Sequence, residues 1–115
     1  MWPGDHFRRH EFACKCGCGL DAVDAELLAV LDRMRRHFNA PVIVTSGCRC
    51  VDHNRAVGGA GGSYHLRGQA ADVIAMGRAP EQVAEWLMAM HPDRYGIGNY
   101  RRWTHIDVRQ SKARR

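Results

Sequence analysis

No run of about 18 apolar residues occurs anywhere in this 115-residue chain, which argues against a membrane-spanning helix. No positively charged segment leads into an apolar stretch at the N-terminus (MWPGDHFRRHEF), so no signal peptide is visible. Internal repeats and low-complexity linkers are also lacking, and the length suits one domain spanning residues 1–115. Acidic residues are scarce, 12 against 17 Lys and Arg, which leaves a net charge of +5. The basic residues gather at Arg8 and Arg9, at Arg33, Arg35 and Arg36, and from residue 101 onward. Such patches attract polyanions, nucleic acid or an anionic cell wall among them, or simply keep the surface solvated.

The five cysteines lack the C-x2-C step usual in structural zinc sites and stand instead as CxCxC (Cys14, Cys16, Cys18) and CxC (Cys48, Cys50). An odd number cannot pair fully within one chain. One or two disulfides, a second metal site between the two clusters, and reduced thiols packed as small hydrophobes all remain open.

What is present reads as an α+β domain. Residues 1–20 form an irregular arm with aromatic anchors at Phe7 and Phe12. Over residues 21–38 apolar side chains recur at three- and four-residue steps (Val23, Leu27, Val30, Leu31, Met34, Phe38), the mark of an amphipathic helix capped by Asp21 or Asp24. Residues 41–45 (PVIVT) are a β-branched run suited to a strand. A short helix is expected at 51–57. Four glycines in GGAGG make 58–64 a loop. A strand is expected at 69–75, a helix from Pro80 to Met90, and two strands at 95–100 and 103–109. The tail from residue 110 to 115 is expected to be disordered. Helices and strands partly segregate, which favours a mainly antiparallel sheet packed by helices.

Two segments carry chemistry. In SYHLRGQAAD, His65 follows the glycine loop and Asp72 lies on the next strand, with Gly68 allowing the turn between them. In WTHIDVR, strand alternation sends Thr104, Ile106 and Val108 to one face and Trp103, His105, Asp107 and Arg109 to the other. The first face belongs in the core. The second needs solvent, a metal or internal partners. Imidazole and carboxylate are good zinc donors, and three protein ligands would leave a fourth position for water, the arrangement of catalytic zinc. Zinc lowers the pKa of such a water to about 7 and so supplies a nucleophile.

Three segments, VTSGCRCVDHN (44–54), SYHLRGQAAD (63–72) and THIDVR (104–109), resemble in order and spacing the ITSGYRxxxHN, SxHxxGxAxD and HIDVR motifs of the zinc D-Ala-D-Ala carboxypeptidase family. The resemblance runs over residues 7–109 and is to the small peptidase domains of phage lysis proteins and bacterial cell-wall enzymes. It implies the α+β fold shared with the hedgehog signalling domain, and one Zn2+ per chain on His65, Asp72 and His105. It also implies hydrolysis of peptide bonds in peptidoglycan stem peptides or cross-links. Arg49 matches the arginine of the SGYR motif and is expected to bind the substrate carbonyl or the developing oxyanion. Ser63 matches the motif serine and is expected to bind substrate or orient its loop.

One departure matters. Many relatives carry an acid three residues before the last zinc histidine as general base, and another variant carries a histidine two residues before it. Here those positions are Arg102 and Trp103, and arginine cannot take up a proton. Asp107 is the nearest carboxylate, expected either as base or as the group that positions His105. His53 and Asn54 either line the cleft or serve the local helix. A monomer acting at the bacterial cell wall or periplasm is expected. The alternative is a non-catalytic, zinc-containing wall-binding module on the same fold. Nucleic-acid binding ranks last, since it leaves the His-Asp-His pattern without purpose.

Overall fold

The Asp24 carboxylate accepts from the Glu26 backbone N–H at 2.8 Å and so starts the long helix α1 (Ala25–Phe38). Asp24, not Asp21, is therefore the cap. Asn39, in the left-handed region at φ 48°, ends the helix. The apolar stripe read from the sequence faces inward: Leu27, Leu31 and Met34 are fully buried. The computed structural model describes residues 6–115. Residues 1–5, which belong to the expected arm, lie outside the described residues.

The remaining elements follow the sequence closely. They are β1 (Val42–Ser46), α2 (Val51–Ala56), a 3-10 turn (Tyr64–Arg67), β2 (Ala70–Ala75), α3 (Pro80–Met90), β3 (Gly96–Asn99) and β4 (Thr104–Asp107). Pro80 occupies the first turn of α3, where its missing N–H costs nothing. The Gln82 side chain accepts from the Ala79 N–H at 2.8 Å and completes that start.

The strands form one sheet in the order β1-β2-β4-β3-β5, with β5 at Ala113–Arg114. The first three pairings are antiparallel and the β3–β5 pairing is parallel, so the sheet is mixed. The domain is α+β, as expected. Val73, Ile97 and Ile106 lie on the face that α1 and α3 cover, with Val83 and Leu87 of α3 opposite them. Burying each such side chain is worth about 1.5–3 kcal/mol. Phe7 and Phe12 close this core from the N-terminal arm, which is irregular apart from a 3-10 turn at Arg9–Phe12. Gly47 is needed where the arm crosses: a Cβ there would sit 2.7 Å from the Phe12 Cα.

The C-terminal segment departs from expectation. In place of a disordered tail over 110–115, Ala113–Arg114 pairs with Gly96 and Ile97 of β3. The Arg114 guanidinium donates to the carbonyls of Tyr95 and His91, both at 2.7 Å. A strand held by main-chain pairing and an arginine on carbonyl oxygens needs no apolar alternation, so the polar sequence SKARR carries no sign of it.

Candidate metal centre

The opposite face of the sheet carries the chemistry. Asp72 on β2 and His105 on β4 are direct cross-strand partners, and Gly98 on β3 continues that row. One pleat away, Asp107 stands between Ala70 and Gly96. His65 arrives from the 3-10 turn after the glycine loop. Ser63 caps that turn, its Oγ accepting from the His65 N–H at 3.2 Å. Gly68, at φ 68°, lets the chain reverse into β2. One ligand atom from each of His65, Asp72 and His105 lies within 4.8 Å of the others, and all three residues are buried.

The hydrogen bonds decide which atoms face inward. His65 Nδ1 is 2.7 Å from the Gly47 carbonyl oxygen, which can only accept, so Nδ1 donates there and Nε2 is the nitrogen turned toward the site. That Nε2 lies 3.4 Å from Asp72 Oδ1. His105 is turned the other way. Its Nε2 donates to Asp107 Oδ2 at 2.8 Å, and its Nδ1 faces Asp72 Oδ1 at 3.0 Å. An ion about 2.0–2.1 Å from each donor, as for zinc, spans donor-to-donor edges of about 3.3 Å. Two imidazole nitrogens and a carboxylate oxygen at these separations fit such an ion.

Electrostatics agree. Burial alone would push the Asp72 carboxyl up, but the hydrogen bonds and charges of His105 and His65 outweigh it and hold it well below the usual carboxylate range. Burial would pull His105 down, yet its bonds to Asp107 and Asp72 raise it. Two carboxylates thus hold a positive charge at His105, and a cation at its Nδ1 would take the place of that proton.

Arg49 and Ser63 are both at the site, in occupied roles. Arg49 donates from Nε to Ser46 Oγ at 3.1 Å, from Nη1 to Asn54 Oδ1 at 3.2 Å and from Nη2 to Asp72 Oδ2 at 3.3 Å. It therefore holds the outer oxygen of Asp72 while Oδ1 faces the two histidines. Asn54 supports Arg49 and itself donates to the Ala60 carbonyl at 2.8 Å, so it belongs to the frame of the glycine loop. His53 borders a neighbouring hollow with Asp72 and Trp103.

Asp107 is fully buried. Its Oδ1 accepts from the Gly96 N–H (3.1 Å), the Arg109 N–H (3.2 Å) and Arg109 Nε (2.7 Å), and its Oδ2 from His105 and Arg109 Nη2 (2.8 Å). Burial would raise this carboxyl, but His105 and Arg109 hold it well below the usual range. Five donors thus occupy the two oxygens of this carboxylate and leave it little room to accept a further proton. These contacts place Asp107 to position His105, one of the two roles open to it.

The triad forms part of the wall of a pocket of about 550 Å³. Tyr100 and Trp103, stacked at 5.2 Å between ring centroids, line another part. The Arg109 guanidinium lies 4.5 Å from the centre of the Tyr64 ring and ties the His65 turn to the Asp107 lock. Sequence reasoning missed the Gly47 carbonyl, the aromatic pair and Gly96. Only Gly96 left a trace, as a glycine inside a strand pattern, where close backbone approach is one reading.

A family model described as Peptidase M15 matches residues 5–107. No curated protein matches the chain. The match covers nearly the whole sequence, and the chain belongs to the Peptidase M15 family, the family of the zinc D-Ala-D-Ala carboxypeptidases.

Proposed function

From that membership, we propose that the chain is a zinc metallopeptidase that hydrolyses peptide bonds in bacterial peptidoglycan, in stem peptides or cross-links. The observation that carries the reading is the convergence of His65 Nε2, His105 Nδ1 and Asp72 Oδ1 on a pocket large enough for a short peptide. Zinc bound there would supply a Lewis acid for the scissile carbonyl and lower the pKa of a water in the open position to about 7. The protein supplies the rest. Gly47 and Asp107 fix the rings of His65 and His105 so that Nε2 and Nδ1, respectively, would face the ion. Asp72 offers one oxygen inward while Arg49 holds the other.

A guanidinium has five N–H groups. Three contacts from Arg49 hold it in place, and the remaining N–H groups on this pocket wall are available to a peptide carbonyl or the oxyanion formed from it. The stacked Tyr100 and Trp103 offer an apolar wall to the small side chains of a stem peptide. With Arg49 paired to Asp72 and Arg109 to Asp107, the Arg115 guanidinium is the further positive charge on the lining, which suits a substrate with a free carboxylate. Action at the cell wall or in the periplasm follows from this substrate.

The saturation of Asp107 favours one second reading. Apart from Asp72 and Asp107, no Asp or Glu side chain lines the pocket among the described residues. A wall-binding module that holds zinc without turnover fits that fact. Incubating purified peptidoglycan with the protein, with zinc and with chelator, and assigning products by mass spectrometry decides between them. Zinc-dependent release of defined peptides supports the peptidase. Sedimentation with the wall but no product, at full zinc loading, supports the module.

A further inference from the structure

Four of the five cysteines, drawn from two distant segments, meet in space. Cys14 and Cys16 Sγ lie 3.4 Å apart, Cys14 and Cys50 3.8 Å, and Cys16 and Cys50 3.7 Å. With Cys18, all four sulfurs lie within 4.8 Å of one another, and none is bonded to another. Four thiolates around a zinc ion at about 2.3 Å have sulfur-to-sulfur edges of about 3.8 Å. From this juxtaposition we infer that Cys14, Cys16, Cys18 and Cys50 form a second metal site, a closed four-thiolate centre that takes zinc and serves structure, not catalysis.

The local chain is shaped for it. Gly17 and Gly19 have φ of 84° and 92°, conformations that non-glycine residues rarely adopt. They curl the CKCGCG segment so that its alternate cysteines turn toward Cys50 instead of running along an extended strand. The Gly17 N–H closes this turn on the Cys14 carbonyl at 3.1 Å. Backbone donors already reach the sulfurs: the Cys50 N–H to Cys14 Sγ at 3.4 Å and the His53 N–H to Cys50 Sγ at 3.3 Å. Such bonds orient metal thiolates and offset their charge. Cys48 is buried outside the cluster, which accounts for the odd cysteine. The CxCxC spacing misses the familiar zinc step because the fourth ligand, and the turn that gathers the other three, come from tertiary structure.

The site would clamp the N-terminal arm to the turn after β1. Cys50 adjoins Arg49, whose backbone N–H donates to the His65 carbonyl at 3.0 Å and whose side chain holds Asp72. A metal on the four sulfurs would therefore fix the backbone from which Arg49 reaches the candidate catalytic centre, without touching substrate.

The inference is independent of the peptidase reading, and the test keeps the two apart. The full chain, purified under reducing conditions with zinc, is expected to hold two zinc ions by elemental mass spectrometry. His65→Ala/His105→Ala is expected to retain one, and Cys16→Ser/Cys18→Ser to retain one. A mercurial thiol reagent should release a single zinc from the His65→Ala/His105→Ala protein as four cysteines react. Cobalt(II) in that same variant should show the thiolate-to-metal charge-transfer band of a tetrahedral sulfur site. If the serine variant does not fold, the cobalt spectrum and mercurial release, which need only the histidine variant, still decide. A histidine variant free of metal, mapping of Cys16, Cys18 or Cys50 into disulfides, or iron in place of zinc would each overturn the assignment. Zinc retained in the histidine variant at two per chain would instead count against the His-Asp-His centre and leave the thiolate site standing.

Discussion

His105 and Asp107 stand two residues apart on one strand, and their side chains meet: Nε2 donates to Oδ2 at 2.8 Å with both groups buried. Side chains at i and i+2 share a strand face, so the bond follows from local geometry once the strand is in place. Its effect is to turn His105 Nδ1 toward Asp72. Asp107→Asn keeps the shape but removes the charge that fixes the ring. Zinc affinity at the histidine centre should fall by about 10–100-fold, read by competition with a chromophoric chelator. Unchanged affinity would remove Asp107 from the positioning role.

Single replacement of His65 or His105 by Ala should abolish zinc-dependent peptide release from peptidoglycan. Chelation of the wild type should do the same, with recovery on adding zinc. Metal that binds only the folded chain adds about 2.7 kcal/mol at a hundredfold excess over Kd. The thermal midpoint should therefore drop on chelation by on the order of 10 °C. A scanning calorimeter reads the shift, and a midpoint indifferent to chelator would contradict folded-state metal binding.

Arg49→Lys preserves charge but cannot reach Ser46, Asn54 and Asp72 together, because a single ammonium replaces a planar fork. If the guanidinium also binds the reacting carbonyl, kcat/KM should fall by about 10²–10³ while zinc content stays at the wild-type level. A loss of zinc that tracks the loss of turnover would reduce Arg49 to a support for Asp72.

Gly96 leaves room for Asp107. A Cβ there would lie 2.3 Å from Asp107 Oδ2, inside any tolerable contact. Gly96→Ala should cost about 1–3 kcal/mol through forced displacement of a packed side chain and weaken zinc binding with it. Gly61→Ala, which meets nothing within 4 Å, is the control and should leave both unchanged. Chemical denaturation and zinc titration of the two variants make the comparison.

Tyr95 gives a pH test away from the metal. Burial, followed by the hydrogen bond its hydroxyl donates to Glu26, pushes its phenol up to about 12. The unfolded chain ionises the same phenol near pH ~10. The contribution is therefore complete below pH 10 and is lost as pH rises from about 10 to 12. Urea midpoints should fall across that window in the wild type and fall less in Tyr95→Phe. Parallel slopes would show that other groups control the alkaline limb.

Much of this architecture is legible in the sequence, for identifiable reasons. The α1 stripe, the β-branched run of β1 and the alternation in β4 are local periodicities that burial obeys. His65, Asp72 and His105 are visible because a loop, a glycine turn and two strand faces each have short-range signatures. What stays hidden depends on pairing between distant segments. The orientation of the His65 ring rests on a carbonyl 18 residues away. The role of Asp107 depends on Arg109 and on the backbone of Gly96, which only the β3–β4 register brings to it. The cysteine cluster and the C-terminal strand are products of tertiary contact in the same sense.

The pairing of Asp72 with His105 across neighbouring strands has a consequence for how such a chain can vary in length. Adding or deleting one residue in β2 or β4 would send every later side chain of that strand to the opposite face. The donor would be lost into the core and an apolar side chain delivered to the pocket. Insertions and deletions in this chain should therefore be tolerated between strands, as in the glycine loop near Gly61, and rejected within Ala70–Ala75 and Thr104–Asp107. The candidate metal centre acts as a ruler on the sheet.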